Sequence, residues 1–191
     1  MVAEDEVVAD YLGGVLASAR VDGGDDAVAW TALIARMSSR ELRTHYKLYA
    51  AVRQVGLGHT DLNLLDAPGR ERLRSFIPYL EALKPLNELE LMKFPFALTG
   101  LAREGLFDGS WRFGALGPKG EDAGPGVEFA PSLTGLNLFT WGNGLGDLSR
   151  FLEDRDLQPL EGIEVPLAVP LRPFEDVSDE PQSEAPEADR A

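Results

Sequence analysis

Two histidines, a pair of adjacent aspartates and a row of basic side chains are the groups in this sequence with enough chemistry to build a site. His45 and His59 are the only imidazoles. A histidine-based metal centre would need both of them and a carboxylate, and they lack the i+3 or i+4 spacing of ligands on one helix. "GHTD" at 58–61 sets His59 beside Asp61 in a loop, where Asp or Thr side chains satisfy backbone amides. His45 lies between Thr44 and Tyr46 on a helix. It reads as a packed or partly exposed imidazole rather than a base, because no recognisable motif puts a serine or threonine nucleophile beside it. "GLG" at 56–58 lacks the rest of a dinucleotide fingerprint, and "GPKGEDAG" at 117–124 lacks the ending of a phosphate loop, so both read as turns. Asp25 and Asp26 could join an acidic metal cluster, yet a helix N-cap accounts for them at less cost. The chain has no cysteine, which excludes disulfides, thiolate zinc sites and cysteine nucleophiles together. No catalytic, cofactor-binding or metal-ligating residue is expected, and the chain reads as a non-enzyme without a cofactor.

The basic row remains. Arg40, Arg43 and Lys47 follow one another at spacings of three and four, so they share a helix face. They do so in a chain of net charge −14, with 32 acids against 18 bases. The charge is uneven: residues 1–29 carry 7 acids and one base, whereas 30–80 carry 8 bases and 4 acids. Two uses of Arg40, Arg43 and Lys47 stay open. They form an internal counter-surface for the acidic ends, or a surface for an anion or a partner. Exposed ion pairs contribute only ~0–1 kcal/mol each and need no function to explain them, which favours the internal use.

The elements that hold these residues follow from periodicity. Val7, Val8, Tyr11, Leu12, Val15 and Leu16 mark one face of a first helix, in which Gly13 and Gly14 either admit another helix closely or end the element. Asp25 or Asp26 caps a second helix with Trp30, Leu33, Ile34 and Met37 on one side. Ser38 or Ser39 caps a third, "RELRTHYKLYAAVRQ", with Leu42, Tyr46, Tyr49 and Val52 inward and the basic row outward. Residues 56–68 read as a loop and Arg70 to Tyr79 as a short helix. "LNELELMKF" reads as another, and Pro95 opens a further helix that stops at Gly105. There Phe96, Leu98, Leu101 and Phe107 are expected in the core, with Gly100 permitting close packing. "SWRFGAL" and "GVEFAPS" alternate as two strands around a flexible glycine-rich loop. Ser132 or Thr134 caps a last helix, and 163–171, with two prolines, suits an edge strand or an extended segment.

This order predicts a mostly α protein with a small β-hairpin, an α+β fold. N-terminal helices (1–85) carry a winged-helix-like lobe (86–173), and an acidic tail (174–191) with 7 acids and two prolines is expected to be disordered. In a DNA-binding winged helix, the helix before the hairpin reads bases. Here residues 96–107 offer only Arg103, with Glu104 beside it, and the wing loop offers Lys119 followed by Glu121 and Asp122. The helix is therefore not expected to read DNA.

At "YLGGVLAS" with "DD" and "SSRELRTHY" downstream, and again at "LAREGLF" followed by "SLTGLNLFTWGNG", the sequence resembles the bacterial abortive-infection alpha (Abi-alpha) family, over roughly residues 9 to 145. The motifs are mostly hydrophobic spacing with a few small residues. The resemblance implies an association with phage defence and brings no catalytic residues.

The functional expectation is a non-catalytic interaction protein, defence- or stress-associated, whose winged-helix-like lobe binds protein. The alternative is a nucleic-acid-binding regulator using the basic stretch 36–74, a use that the net negative charge disfavours. No stretch approaches the ~20 apolar residues of a membrane span. Glu4, Asp5 and Glu6 stand where a signal peptide needs positive charge. A cytoplasmic location with no membrane partner is expected.

Overall fold

A computed structural model of the chain describes residues 2–22, 25–59, 61–82, 88–117, 120–153, 157 and 160–171. The acidic tail and Lys119 of the wing loop lie outside the described residues. The helices are α1 (Val2–Asp22), α2 (Asp25–Ile34), α3 (Ser39–Gly56), α4 (Ala67–Arg72), α5 (Tyr79–Ala82), α6 (Glu88–Arg103) and α7 (Leu133–Gly142). The strands are β1 (Ser75–Pro78), β2 (Phe107–Gly117), β3 (Gly120–Pro131) and β4 (Val169–Pro170), joined in one antiparallel sheet in the order β2-β3-β1-β4. The fold is α+β, dominated by helices.

α3 is the central helix. Ser38 Oγ accepts from the Glu41 amide while the Glu41 carboxylate accepts from the Ser38 amide at 2.6 Å, a complete capping box. Twelve of its 18 residues are buried, so neighbours surround it instead of covering one side. The inward set read from the sequence, Leu42, Tyr46, Tyr49 and Val52, is buried throughout. One apolar cluster runs from Val7 to Ile163 and joins the N-terminal helices to the hairpin part.

α1 passes through Gly13 and Gly14 without ending. A Cβ built on Gly14 would overlap the carbonyl of Gly142, so the glycine lets α1 lie directly on the end of α7. Close approach, and not a break, is what that position provides.

Three expected elements differ. Arg70–Tyr79 is no helix: α4 ends at Arg72, and Ser75–Pro78 forms β1, paired with β3 from Ser75 opposite Phe129 to Pro78 opposite Gly126. Phe76 and Ile77 are buried there, and pairing with a strand fifty residues away outweighs local helical preference. From Glu88 onward, "LNELELMKF" and the helix after it form one element, α6, with Pro95 inside it. Proline removes one intrahelical hydrogen bond, but Phe94, Ala97, Leu98 and Leu101 all bury on the same side and hold the helix together across it. The described part of the glycine-rich loop between β2 and β3 is paired and not free. Ala115 lies opposite Gly126, Leu116 opposite Pro125 and Gly117 opposite Gly120, with register shifts that the glycines absorb. Residues 163–171 end in the edge strand β4, on the outer side of β1.

A candidate partner-binding face on α6

α6 ends in a Schellman motif. The Leu106 amide donates to the Leu101 carbonyl at 2.9 Å and the Gly105 amide to the Ala102 carbonyl at 3.1 Å, with Gly105 at φ +71°. This stop fixes the rotation of the helix relative to β2. Phe94, Ala97, Leu98 and Leu101 then face the core, at 0–4% exposure. The opposite face carries Met92, Phe96, Thr99 and Arg103, at spacings of four, three and four. Met92 is 72% exposed and Phe96 76%. Phe96 is therefore not a core residue as its sequence context suggested. It stands about 200° around the helix from both Phe94 and Leu98.

Beside Phe96 a groove of 290 Å³ separates α6 from the start of α3, lined by Ser38, Arg40, Glu41, Lys93, Phe96 and Ala97. Gly100 seats the two helices against each other, because a Cβ there would overlap the Glu41 carboxylate. Glu41 is fully committed: Oε2 accepts from Ser38, and Oε1 faces Arg103 at 3.5 Å. Arg103 also pairs with Glu104 at 3.1 Å, and Glu104 in turn with Arg36 at 3.1 Å. The groove thus joins an apolar wall to the cations Arg40 and Lys93.

Of the basic row, Arg40 lines this groove, while Arg43 and Lys47 lie further along α3; all three are half-buried. Lys47 Nζ donates to the Ala82 carbonyl at 3.1 Å, closing the end of α5. The rest of the basic stretch is engaged inside the chain as well. Arg53 donates to the Glu153 carbonyl at 2.7 Å, Arg70 pairs with Asp108 at 2.8 Å and Arg72 with Asp61 at 3.3 Å. Arg74 holds both Glu71 at 2.6 Å and Glu128 at 3.2 Å. Arg40 and Arg43 likewise have partners. The acids in these pairs, Asp61, Glu71, Glu104, Asp108 and Glu128, belong to the body of the fold and not to the acidic N-terminal segment.

The two histidines do not meet in a site. His45 is fully buried, and its imidazole is stacked on Tyr49 with centroids 4.3 Å apart. Its Nε2 lies 3.1 Å from the Gly135 carbonyl, which can only accept, so Nε2 carries the proton. Nδ1 then accepts from the Tyr11 hydroxyl at 2.8 Å. Burial pushes this imidazole down to about 3, against the weaker upward pull of the Gly135 carbonyl, so it is neutral at pH 7. Tyr49 extends the network, donating to the Leu106 carbonyl and accepting from the Ser132 amide at 3.1 Å. These groups tie α1, α3 and α7 together around a site closed to solvent. Asp61, beside His59 in sequence, pairs with Arg72. Among the described residues, no group of three His, Asp or Glu gathers as metal ligands would.

A second concavity, of 260 Å³, lies between the 62–65 loop and residues 148–152. Leucines and two neutral polar side chains line it, so it carries no charge by which to choose a partner. Among the described residues no helix is long and apolar enough to cross a membrane. Comparisons with models of protein families, with curated proteins and with solved structures find nothing that matches this chain.

Proposed function

We propose that this chain is a non-catalytic, cytoplasmic interaction protein that binds another protein through the exposed face of α6, in a winged-helix-like lobe. The observation that carries this reading is the pair Met92 and Phe96, one turn apart and both more than 70% exposed on the helix that precedes the hairpin. Large apolar side chains grouped on a soluble surface mark docking sites. A DNA-reading helix in the same position would present Arg, Lys, Asn or Gln. The association with phage defence rests on the resemblance to the Abi-alpha family. The alternative, a nucleic-acid-binding regulator using 36–74, draws little support, since in that stretch Arg36, Arg70, Arg72 and Arg74 hold carboxylates, and Lys47 and Arg53 hold backbone carbonyls, of the same chain.

The test is a photo-crosslinking amino acid placed at Phe96 and, separately, at Leu65 and Val28, which are exposed elsewhere. A discrete protein adduct from position 96 alone supports the reading. Adducts only from the other positions, or crosslinks to nucleic acid, overturn it. In a bacterial host that the protein protects against phage, Phe96→Ser should abolish protection without lowering the protein's level.

A further inference from the structure

We infer that the groove beside Phe96 receives an acidic, amphipathic helix of a partner protein; the inference rests on the reading of α6 as a docking face and names what docks there. Charge selects the partner. Arg40 and Lys93 line the groove, and Arg103, with 62% of its side chain exposed, closes the end of the same face. The two carboxylates nearby, Glu41 and Glu104, have side chains only 12% exposed and are held by Ser38, Arg103 and Arg36. Among the side chains described on this face, Arg36, Arg40, Lys93 and Arg103 outnumber Glu41 and Glu104, so the surface around the apolar side chains is locally positive on a chain of net charge −14. A strongly anionic polymer is repelled by the whole molecule, whereas a short segment with a few carboxylates meets the cations locally.

Spacing selects the conformation. Met92, Phe96 and Thr99 form a ridge at intervals of four and three, and the groove runs between that ridge and a second helix. A helix with apolar side chains at i, i+4 and i+7 packs into such a surface, whereas an extended strand presents side chains with a period of two and does not match it. The partner segment then places its apolar stripe on Met92 and Phe96 and its carboxylates toward Arg40 and Lys93.

The experiment uses two synthetic helical peptides with the same leucine stripe. One carries glutamates beside the stripe and the other lysines. Each is titrated with the full chain and followed by fluorescence anisotropy. The glutamate peptide should bind ~10-fold or more tightly than its lysine twin, Phe96→Ser should weaken it by ~10-fold, and the double variant Arg40→Glu/Lys93→Glu should reverse the preference. Thermal melting of each variant separates loss of binding from loss of fold. Equal affinities, a preference for the lysine peptide, or selectivity that survives the double charge reversal overturns the inference. So does self-association of the protein that Phe96→Ser abolishes, because the face would then belong to a second copy of the chain. A protein adduct at position 96 together with no charge preference leaves the docking face standing and removes only its acidic ligand; nucleic acid crosslinked at 96 removes both.

Discussion

Gly100 on α6 lies against the carboxylate of Glu41 on α3 with no space for a Cβ between them. Glu41 cannot turn aside freely, because its other oxygen closes the capping box on Ser38. Gly100→Ala gains up to ~1 kcal/mol in helix propensity but displaces a carboxylate whose cap contributes ~1 kcal/mol and forces the helices apart, so a net loss of ~1–2 kcal/mol is expected. Denaturant unfolding measures it. The double variant Gly100→Ala/Glu41→Ala should show a strong interaction energy, since removing the carboxylate removes the clash.

Gly105 has no atom near its missing Cβ, yet its φ of +71° is one that residues with a Cβ adopt at a penalty. Gly105→Ala should destabilise by ~1 kcal/mol through conformation alone. Gly105→Asn should cost less, because Asn tolerates the left-handed region. Equal losses for Ala and Asn would show that something other than backbone conformation is at stake.

The His45 imidazole is neutral in the native fold with its pKa pushed down to about 3, whereas in the unfolded chain it titrates near its ordinary value of 6.5. Below pH 6.5 the unfolded state takes up a proton that the native state refuses. Stability is therefore full above that pH and falls as pH drops toward 3. Between pH 6.5 and 5, before most carboxylates protonate, the loss should be about 2 kcal/mol. His45→Gln should be less stable at pH 7, because the spacing between Tyr11 and Gly135 is set by the imidazole, but its stability should vary much less over that interval. An unchanged pH slope in the variant would show that another group drives it.

Local chemistry made part of this architecture legible. Ser38 or Ser39 marks the start of α3, Gly105 a helix stop, and the spacing of Leu42, Tyr46, Tyr49 and Val52 the buried side of α3, all within a few residues, and of the two serines it is Ser38 that caps. β1 was hidden because four residues, "SFIP", become a strand only through pairing with Val127 and Phe129 far along the chain. The half-burial of Arg40, Arg43 and Lys47 was hidden for a similar reason, as α3 is enclosed by partners that its own amphipathic pattern does not count. Phe96 differs in kind: hydrophobicity places it in the core, but the helical period sets it opposite the stripe of Phe94, Leu98 and Leu101, and the period prevails.

The engaged bases predict weak nucleic-acid binding. Arg70, Arg72 and Arg74 each hold a carboxylate, so releasing them to contact phosphates would break native ion pairs. In a titration with mixed-sequence duplex DNA at low salt, Arg70→Gln and Arg72→Gln should leave whatever affinity exists unchanged. A marked drop, with a shallower salt dependence, would instead place these side chains on phosphates.

Phe94 and Phe96 offer an internal control on the docking face, being the same residue type two positions apart on one helix. Phe94 is 4% exposed and packs against Tyr79 and Phe113, with ring centroids 6.1 and 6.5 Å away. Phe94→Ala opens a cavity and should cost ~3–5 kcal/mol. Phe96→Ala removes a ring that is 76% exposed and should shift stability by no more than ~0.5 kcal/mol. Binding should respond in the opposite order, with Phe96→Ala losing the partner while its melting temperature holds. If Phe96→Ala melts as early as Phe94→Ala, the side chain is packed in solution and α6 presents no apolar face to a partner.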